Sequence, residues 1–466
     1  MIRYVRTLFI YYISKLKDFW RGIIMNAVVI AVLLMLVLSL LRVNIVIALI
    51  IGALAGGLTG GLGLGETVKA FTDGLGGNAT VAVSYAMLGA FAAALTKTGL
   101  PDAMVEASVK LIGNKEDSRK KALSKVLIVL IILIVSCFSQ NVVPVHIAFI
   151  PVLIPPLLKI FNELEMDRRL IACVITFGLT APYILLPVGF GQIFQGMLKD
   201  NMADAGLNVP LADIPYALII PVAGMVVGLI LSVIVYRKPK QYETKDISGA
   251  EASPYTRKSI GIAVLAIVVS LGVQLYLSQT LGVEGMIMGA LAGLIVLFVS
   301  GVMKRDEADS LITDGMVLMA FIGFVMLVAA GFSNVLTKTG DVESLVKTSA
   351  GFIGHSQSLG ALLMLIVGLL ITMGIGSSFA TIPVITTIFV PLCMQLGFSP
   401  MATIAIIGAA AALGDAGSPA SDSTLGPTSG LSADGQHHHI WDTCVPTFIF
   451  YNIPLVIFGW IAALVL

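Results

Sequence analysis

Twelve long apolar segments restrict what this chain can fold into. Of its 466 residues, 57% are hydrophobic and only 12% are charged, whereas a soluble domain carries about 25% charged residues. A helix needs about 20 apolar residues to span a bilayer, and its backbone polar groups must bond internally. The composition therefore predicts an all-α polytopic membrane protein, with the lipid bilayer as its main partner. The segments lie at 26–41, 43–64, 80–96, 126–158, 170–195, 214–236, 259–278, 284–302, 316–336, 359–396, 401–427 and 444–466.

Two of these segments, 126–158 and 359–396, are too long for one span. Each is interrupted midway by small polar residues: Ser139-Gln140-Asn141 in the first, and the run from Gly374 to Ser378 in the second. A polar turn at membrane depth is tolerated only where protein or a water-filled cavity surrounds it. We therefore predict two re-entrant hairpins, which enter and leave on the same side.

The basic residues predict the orientation. If the hairpins do not cross and the N-terminus lies outside, the cytoplasmic loops hold 19 basic residues and the external loops hold four. Such a bias follows the positive-inside rule. Residues 1–24 are the exception, because they place five basic residues on the outer side. They are either an extension upstream of the true start, which we favour, or an amphipathic helix on the membrane surface.

An internal repeat is visible in the sequence. The pentapeptide Leu-Thr-Lys-Thr-Gly occurs at 95–99 and again at 336–340, and Pro155 and Pro182 have counterparts at Pro391 and Pro419 at nearly the same spacing. Each copy contains five predicted crossings, an odd number, so the second copy should be inverted. The predicted organisation is a first repeat at 25–236, a cytoplasmic linker at 237–258 and a second repeat at 259–466. Inverted repeats with broken helices are typical of secondary transporters, which bind substrate between the repeats.

The segment 401–427 contains the most informative chemistry. It includes Gly414-Asp415-Ala416-Gly417-Ser418-Pro419-Ala420-Ser421-Asp422-Ser423-Thr424, and from Thr348 to Ala433 the chain has no other acidic residue and no Lys or Arg. An uncompensated carboxylate at the bilayer centre costs about 2.5–3.5 kcal/mol even on a mild scale. Glycine and proline should break the helix here and free backbone carbonyls. Carboxylates, hydroxyls and carbonyls suit a hard cation or a proton.

The predicted site has four walls, which the two hairpins and two broken helices supply. For each residue a structural role competes: Asp422 as a helix cap, Asp415 in turn chemistry, and the hydroxyls as partners of their own turns. Three adjacent histidines, 437–439, favour a solvated cytoplasmic loop over a metal site. The predicted site residues are Ser139, Gln140 and Asn141; Thr180, beside Pro182; Ser377, Ser378 and Thr381; and Asp415, Ser418, Ser421, Asp422 and Thr424.

The pattern Gly414-Asp415-x-x-Ser418-Pro419-x-Ser421-Asp422-x-Thr424 closely resembles the motif of NhaC-type sodium/proton antiporters of the ion-transporter superfamily. Leu425-Gly426-Pro427 and Val445-Pro446 are also similar to that family. The resemblance implies inverted repeats, a frequent homodimer and elevator-like alternating access. Small residues between Asp415 and Ser418 leave room for more than a bare ion, and relatives in the superfamily move carboxylates and amino acids.

The leading hypothesis is a sodium/proton antiporter of the inner membrane, in which Asp422 and Asp415 bind sodium and protons in competition. The alternative is a sodium- or proton-coupled importer of a small amino acid or carboxylate. An intramembrane aspartyl protease is disfavoured because both aspartates lie on one broken element. No enzyme activity, cofactor or nucleic-acid partner is predicted. A P-loop is absent from the sequence, which argues against coupling to ATP.

Overall fold

The structure is a computed structural model. It describes residues 25–100, 103, 118–141, 146–188, 190–243, 255–281, 283, 285–303, 307–353 and 356–466. The two interpretations of residues 1–24 concern residues outside this set. The same holds for the turn at 142–145 and for the side chains of Gln140 and Asn141.

The described residues of the first half form nine helices. Side chains cap three of them, Asn26 before Ala27, Asn44 before Ile45 and Asp167 before Arg168. The helix that ends at Leu75 continues through a short 3-10 turn into the helix that begins at Ala79. The helices are α1 (Ala27–Leu40), α2 (Ile45–Thr59), α3 (Leu64–Leu75), α4 (Ala79–Thr96), α5 (Ser118–Asn141), α6 (His146–Glu163), α7 (Arg168–Leu185), α8 (Phe190–Asp204) and α9 (Asp213–Val235).

The second half runs through a matching series. One long helix, Ala308–Thr339, takes the place of α3 and α4, and the last helix contains two π-helical stretches. The helices are α10 (Arg257–Leu281), α11 (Met286–Val299), α12 (Ala308–Thr339), α13 (Asp341–Ile353), α14 (Gln357–Ile375), α15 (Ser378–Gln395), α16 (Pro400–Ala412), α17 (Asp422–Leu431) and α18 (His439–Val465). The order of the described helices and breaks is therefore similar in the two halves, except that α13 has no counterpart among the described residues, and the repeat and its inversion stay predictions.

The helices confirm the predicted all-α membrane fold. Among the described residues, nine helical stretches are long and apolar enough to cross a membrane, and four shorter apolar helices accompany them. In the second hairpin, α14 has 19 residues and α15 has 18. At 1.5 Å per residue each arm is about 28 Å long, close to the thickness of the hydrocarbon core. The re-entrant path of this hairpin therefore stays a prediction.

The first broken helix breaks later than expected. The sequence suggested a break at Pro182, but α7 continues through Pro182 and ends at Leu185. Pro182 removes only one backbone donor. Leu186 instead precedes Pro187, and the residue before a proline is disfavoured in the helical region. Leu186 accordingly has an extended backbone (φ −95°, ψ 126°), and α8 begins at Phe190.

The second break confirms the expectation from Gly414 and Gly417. Helix α16 ends at Ala412 and α17 begins at Asp422, so residues 413–421 are not helical. Gly414 and Gly417 have φ values of 90° and 93°, which favour glycine over every other residue. A Cβ at Gly417 would lie 2.7 Å from Cα of Phe448, so the chain also passes too close to α18 for a side chain.

The two halves interlock around this break. Helix α6 of the first half packs on α17, and α15 of the second half packs on α8. Each hairpin therefore places its second arm on the half-helix that follows the break in the opposite repeat. Helix α12 packs along α2, α3 and α4 and joins the halves on the other side.

Candidate functional site

A cavity of about 630 Å³ lies where the second hairpin, both broken helices, α12 and the α3–α4 junction meet. The turn of the hairpin contributes Ser377 and Ser378, and the broken segment contributes Asp415 and Asp422. Tyr183 on α7 and a polar face of α12 complete the wall. The polar lining residues are Asp73, Asn78, Tyr183, Ser333, Asn334, Thr337, Ser377, Ser378, Asp415, Asp422 and Ser423.

The carboxylate of Asp415 is saturated with hydroxyl donors. Its Oδ1 accepts hydrogen bonds from Ser421 and, at 3.0 Å, from Ser423. Its Oδ2 accepts one from the Tyr183 hydroxyl at 2.8 Å. Because Tyr183 gives its proton to Asp415, the Ser378 hydroxyl donates to the Tyr183 oxygen at 2.9 Å. One chain of hydrogen bonds therefore joins the hairpin turn, α7 and the broken segment.

The carboxylate of Asp422, in contrast, has an oxygen without a hydrogen-bond donor in the described part of the chain. Its Oδ1 is buried and has no hydrogen-bond partner among the described residues. The capping interpretation of Asp422 is wrong, because the Ser421 side chain caps α17 by accepting from the Ser423 backbone N–H, and Asp422 is the first helical residue. An unpartnered buried oxygen of a carboxylate is expensive. A cation or a proton at this oxygen would remove that cost.

Most of the carbonyls that the break frees have side-chain partners. The carbonyl of Ala416 accepts from Asn452, and that of Ser418 accepts from Thr424. The carbonyl of Pro419 accepts from Nε2 of His439 at 2.9 Å. The Ser423 hydroxyl has one hydrogen, which it shares between the carbonyl and Oδ1 of Asp415, each 3.0 Å from its oxygen. The expected contribution of free carbonyls to an ion site is thus small here, and the carboxylates and hydroxyls carry the chemistry.

The structure brings part of the predicted site together. Asp415, Asp422, Ser377 and Ser378 line the cavity, and Ser421 bonds to Asp415. Four other predicted hydroxyls satisfy nearby backbone carbonyls and do not line it: Ser139, Thr180, Thr381 and Thr424. Ser418 is buried and accepts from the Ala420 backbone N–H. Gln140 and Asn141 are helical in their backbone, and their side chains lie outside the description.

Sequence reasoning missed Tyr183 and the wall opposite the aspartates. Tyr183 lies in an apolar run and carries no local signal of a polar role. Asn78 donates to the carbonyl of Met326 at 3.1 Å, and Asn334 donates to that of Ala70 at 2.6 Å. The sequence did contain a signal for Asn334, since Ser333, Asn334 and Thr337 share one face of α12 at helical spacing.

Comparison with known proteins identifies the family of this chain. The sequence profile described as "Na+/H+ antiporter family" matches residues 174–460, which is more than half of the chain. A second profile, described as "Na+-H+ antiporter family", matches residues 26–112. The chain belongs to the Na+/H+ antiporter family. It is therefore a membrane transporter and a multi-pass membrane protein.

Relatives and solved structures extend the comparison. An uncharacterized membrane protein of Vibrio parahaemolyticus is 55% identical and covers 95% of this transporter and 100% of its own length. An uncharacterized membrane protein of Haemophilus influenzae is 50% identical, and the match covers 87% of this chain and 91% of that protein. The YdaH transporter of Alcanivorax borkumensis is 16% identical, with a TM-score of 0.40 over 86% of this chain and 88% of that one. MtrF of Neisseria gonorrhoeae, described with a class of antimetabolite efflux pumps, is 16% identical, with a TM-score of 0.38 over 90% and 94%.

The transporter has a second cavity of about 400 Å³, lined by Arg42, Asn44, Thr428, Ser432 and the three histidines among others. The expectation of a solvated histidine loop is wrong for His437 and His439, which are each only 6% exposed. A carbonyl only accepts, so His439 carries its proton on Nε2 toward Pro419, and its Nδ1 accepts from Thr428 at 2.8 Å. His437 Nε2 lies 2.6 Å from the Thr443 hydroxyl.

A buried ion pair lies near this second cavity. Arg168 bonds both carboxylate oxygens of Asp434 at 2.6 Å, and their side chains are 0% and 2% exposed. Tyr242 of the linker covers the guanidinium, with 4.3 Å from its carbon to the ring centroid. Burial opposes ionisation of Asp434, but the hydrogen bonds and charge of Arg168 prevail and hold the pKa of Asp434 below its usual range. The pair ties α7 of the first repeat to the end of α17 in the second.

Proposed function

We propose that this transporter exchanges sodium for protons across the bacterial inner membrane. The observation that carries the proposal is the buried, unpartnered Oδ1 of Asp422, beside the hydroxyl-saturated Asp415, in the wall of a cavity. No Lys, Arg or His belongs to the described lining of that cavity. A cation or a proton is therefore the natural partner for Asp422.

The geometry divides the roles of the two aspartates. Asp415 is held by Tyr183, Ser421 and Ser423, which fixes the direction of its carboxylate. Asp422 keeps an oxygen free for the cargo. Sodium and a proton would each neutralise the same carboxylate, so their binding is mutually exclusive. Mutually exclusive binding at a site that faces each side in turn produces exchange.

The cavities suit such alternation. In the orientation that the basic residues predict, Asp73 and Asn78 in the wall of the cavity at Asp422 lie toward the outside, and Arg42 in the wall of the second cavity lies on the cytoplasmic side. The buried pair of Arg168 and Asp434 would hold the cytoplasmic side closed in this state. The same geometry supports alternating access between two cavities that lie near opposite ends of α17.

The test uses purified protein in liposomes that contain a pH-sensitive dye. A pulse of external sodium should make the interior alkaline with the wild type and should have no effect with Asp422→Asn. Asp200→Asn, which changes an aspartate that is 72% exposed, is the matched control and should behave as the wild type. Equal responses from wild type and Asp422→Asn would refute the assignment of this residue.

The second candidate is a sodium- or proton-coupled importer of a small amino acid or carboxylate. The size of the cavity favours it, since about 630 Å³ exceeds what one ion requires. If sodium produces no pH change with correctly inserted wild type, sodium-dependent uptake of labelled amino acids and carboxylates would test this alternative.

A further inference from the structure

The cavity at Asp422 is far larger than sodium needs. A water molecule occupies about 30 Å³ of liquid, so a volume of about 630 Å³ corresponds to roughly 20 waters. Pockets that bind organic molecules range over about 300–1,000 Å³. The volume therefore matches that of a site for an organic solute.

The charges of the lining select the class of solute. Asp73, Asp415 and Asp422 line the cavity, and its described lining contains no basic residue. Lys69 lies 3.1 Å from Asp73, but it is 74% exposed and is not part of the lining. An anion would be repelled by these carboxylates with no basic residue in the described lining to offset the repulsion, whereas a cation would find two partly buried carboxylates, Asp415 and Asp422.

Aromatic rings form the wall next to the carboxylates. Tyr183, Phe190 and Phe379 line the cavity, and the centroid of the Phe379 ring lies 5.9 Å from that of Tyr183 and 5.7 Å from that of Phe190. Phe194 is buried behind them, with its centroid 5.9 Å from that of Phe379, and supports the cluster. The faces of such rings attract alkylammonium groups, which are large and weakly hydrated. Sodium alone would gain little from this wall.

We infer that this cavity binds a small organic ammonium ion in competition with sodium, with the charged nitrogen between Asp422 and the ring of Phe379. The inference rests on the proposed function, because it assigns the organic cation to the same carboxylate that would take sodium or a proton. The volume, the acidic lining and the aromatic wall together support it.

The test measures sodium-driven pH change in liposomes while external choline is varied. Choline carries a permanent charge, so it neither crosses the bilayer as a neutral base nor disturbs the pH dye. Its uncharged carbon isostere, in which carbon replaces the quaternary nitrogen, is the matched control. Choline should raise the apparent KM for sodium without changing kcat, and the isostere should have no effect.

A variant series locates the site. Phe379→Leu should raise the inhibition constant of choline about fivefold to tenfold more than it raises the KM for sodium, and Phe379→Tyr should restore choline binding. Phe389→Leu changes a buried ring on the same helix that does not line the cavity, so it should leave the choline constant as in the wild type.

The outcomes separate the two proposals. Sodium exchange that is insensitive to choline would overturn the ammonium site and leave the proposed exchange intact. An absent sodium response, together with uptake of radiolabelled choline that Asp422→Asn abolishes, would overturn the exchange and support the ammonium site. Equal inhibition by choline and its isostere would show that size alone is recognised, and would overturn the inference.

Discussion

Two aspartates at opposite ends of α17 contrast sharply. Asp422 begins the helix and has a buried carboxylate oxygen without a partner. Asp434 follows the end of the helix and gives both oxygens to Arg168. Removing one partner of a buried pair leaves an uncompensated charge, whereas removing a charge that has no partner relieves a cost. We propose from this difference that Asp422 serves transport and that Asp434 stabilises the fold.

The substitution with the largest expected effect, and the strongest test of this comparison, is the neutralisation of Asp422. Asp422→Asn should reduce sodium-dependent transport to background and leave thermal stability unchanged or higher, because a buried amide costs less than an unpartnered carboxylate. Thermal unfolding of the purified protein in detergent, measured beside the liposome assay, checks both parts. A large loss of stability would show that Asp422 is a structural residue.

Neutralising Asp434 should have the reverse effect. Asp434→Asn leaves the buried Arg168 without its counter-ion and should lower the free energy of unfolding at pH 7 by about 3–5 kcal/mol. Since the pKa of Asp434 is lowered in the fold, its contribution is complete above about pH 4 and is lost as the pH falls further. Asp442→Asn is the control, because Asp442 lies 3.9 Å from the partly exposed Lys240 and its hydrogen bond from the His438 backbone N–H, at 2.9 Å, can also be accepted by an amide oxygen. Equal stability of the two variants would contradict the structural role of Asp434.

Tyr183 allows a finer test of the transport side. Tyr183→Phe removes the hydrogen-bond donor to Asp415 and the acceptor for Ser378. A hydrogen bond to a charged group contributes about 1.5–3 kcal/mol, and we expect the free energy of sodium binding to weaken by this amount. The sodium concentration for half-maximal exchange should rise about tenfold to a hundredfold. Tyr216→Phe, at a tyrosine that is 65% exposed, should leave this concentration unchanged. An unchanged value for Tyr183→Phe would mean that the orientation of Asp415 is unimportant.

The smallest predicted effect concerns His437, which lines the second cavity. Burial, reinforced by the charge of Arg168, lowers the pKa of His437 well below its usual value. Below about pH 6.5 the unfolded chain therefore binds a proton at His437 that the folded protein does not bind. As the pH decreases below this value, the free energy of unfolding decreases by up to about 1.4 kcal/mol per pH unit. His437→Gln should flatten this dependence in denaturation curves recorded between pH 5.5 and 7.5. His438→Gln, at the exposed neighbour, should retain it.

The sequence predicted those features of the fold and the site that depend on residues close together in the chain. The apolar segments predicted the helices, and Gly414 and Gly417 predicted the break, since their φ values allow few other residues. The lack of any nearby basic residue identified Asp415 and Asp422 as unusual. These features are readable because each depends on neighbours in the chain.

Long-range contacts explain what was missed. Tyr183 reaches Asp415, 232 residues later, and Arg168 reaches Asp434, 266 residues later. The buried His439 contacts Thr428 on α17 and Pro419 in the break, which no local pattern reveals. The prediction of the first break was wrong for a different reason. Two prolines could each end the helix, and Pro187 does so because it disfavours the helical conformation at the preceding residue, Leu186.

Helix α17 has one further consequence. Asp422 and Ser423 at its start line the first cavity, while Thr428 and the capping Ser432 near its end line the second. The helix has ten residues and is therefore only about 15 Å long. A compound bound in either cavity would contact the same short helix. Compounds that bind in the two cavities should therefore weaken each other's binding, even though they do not touch.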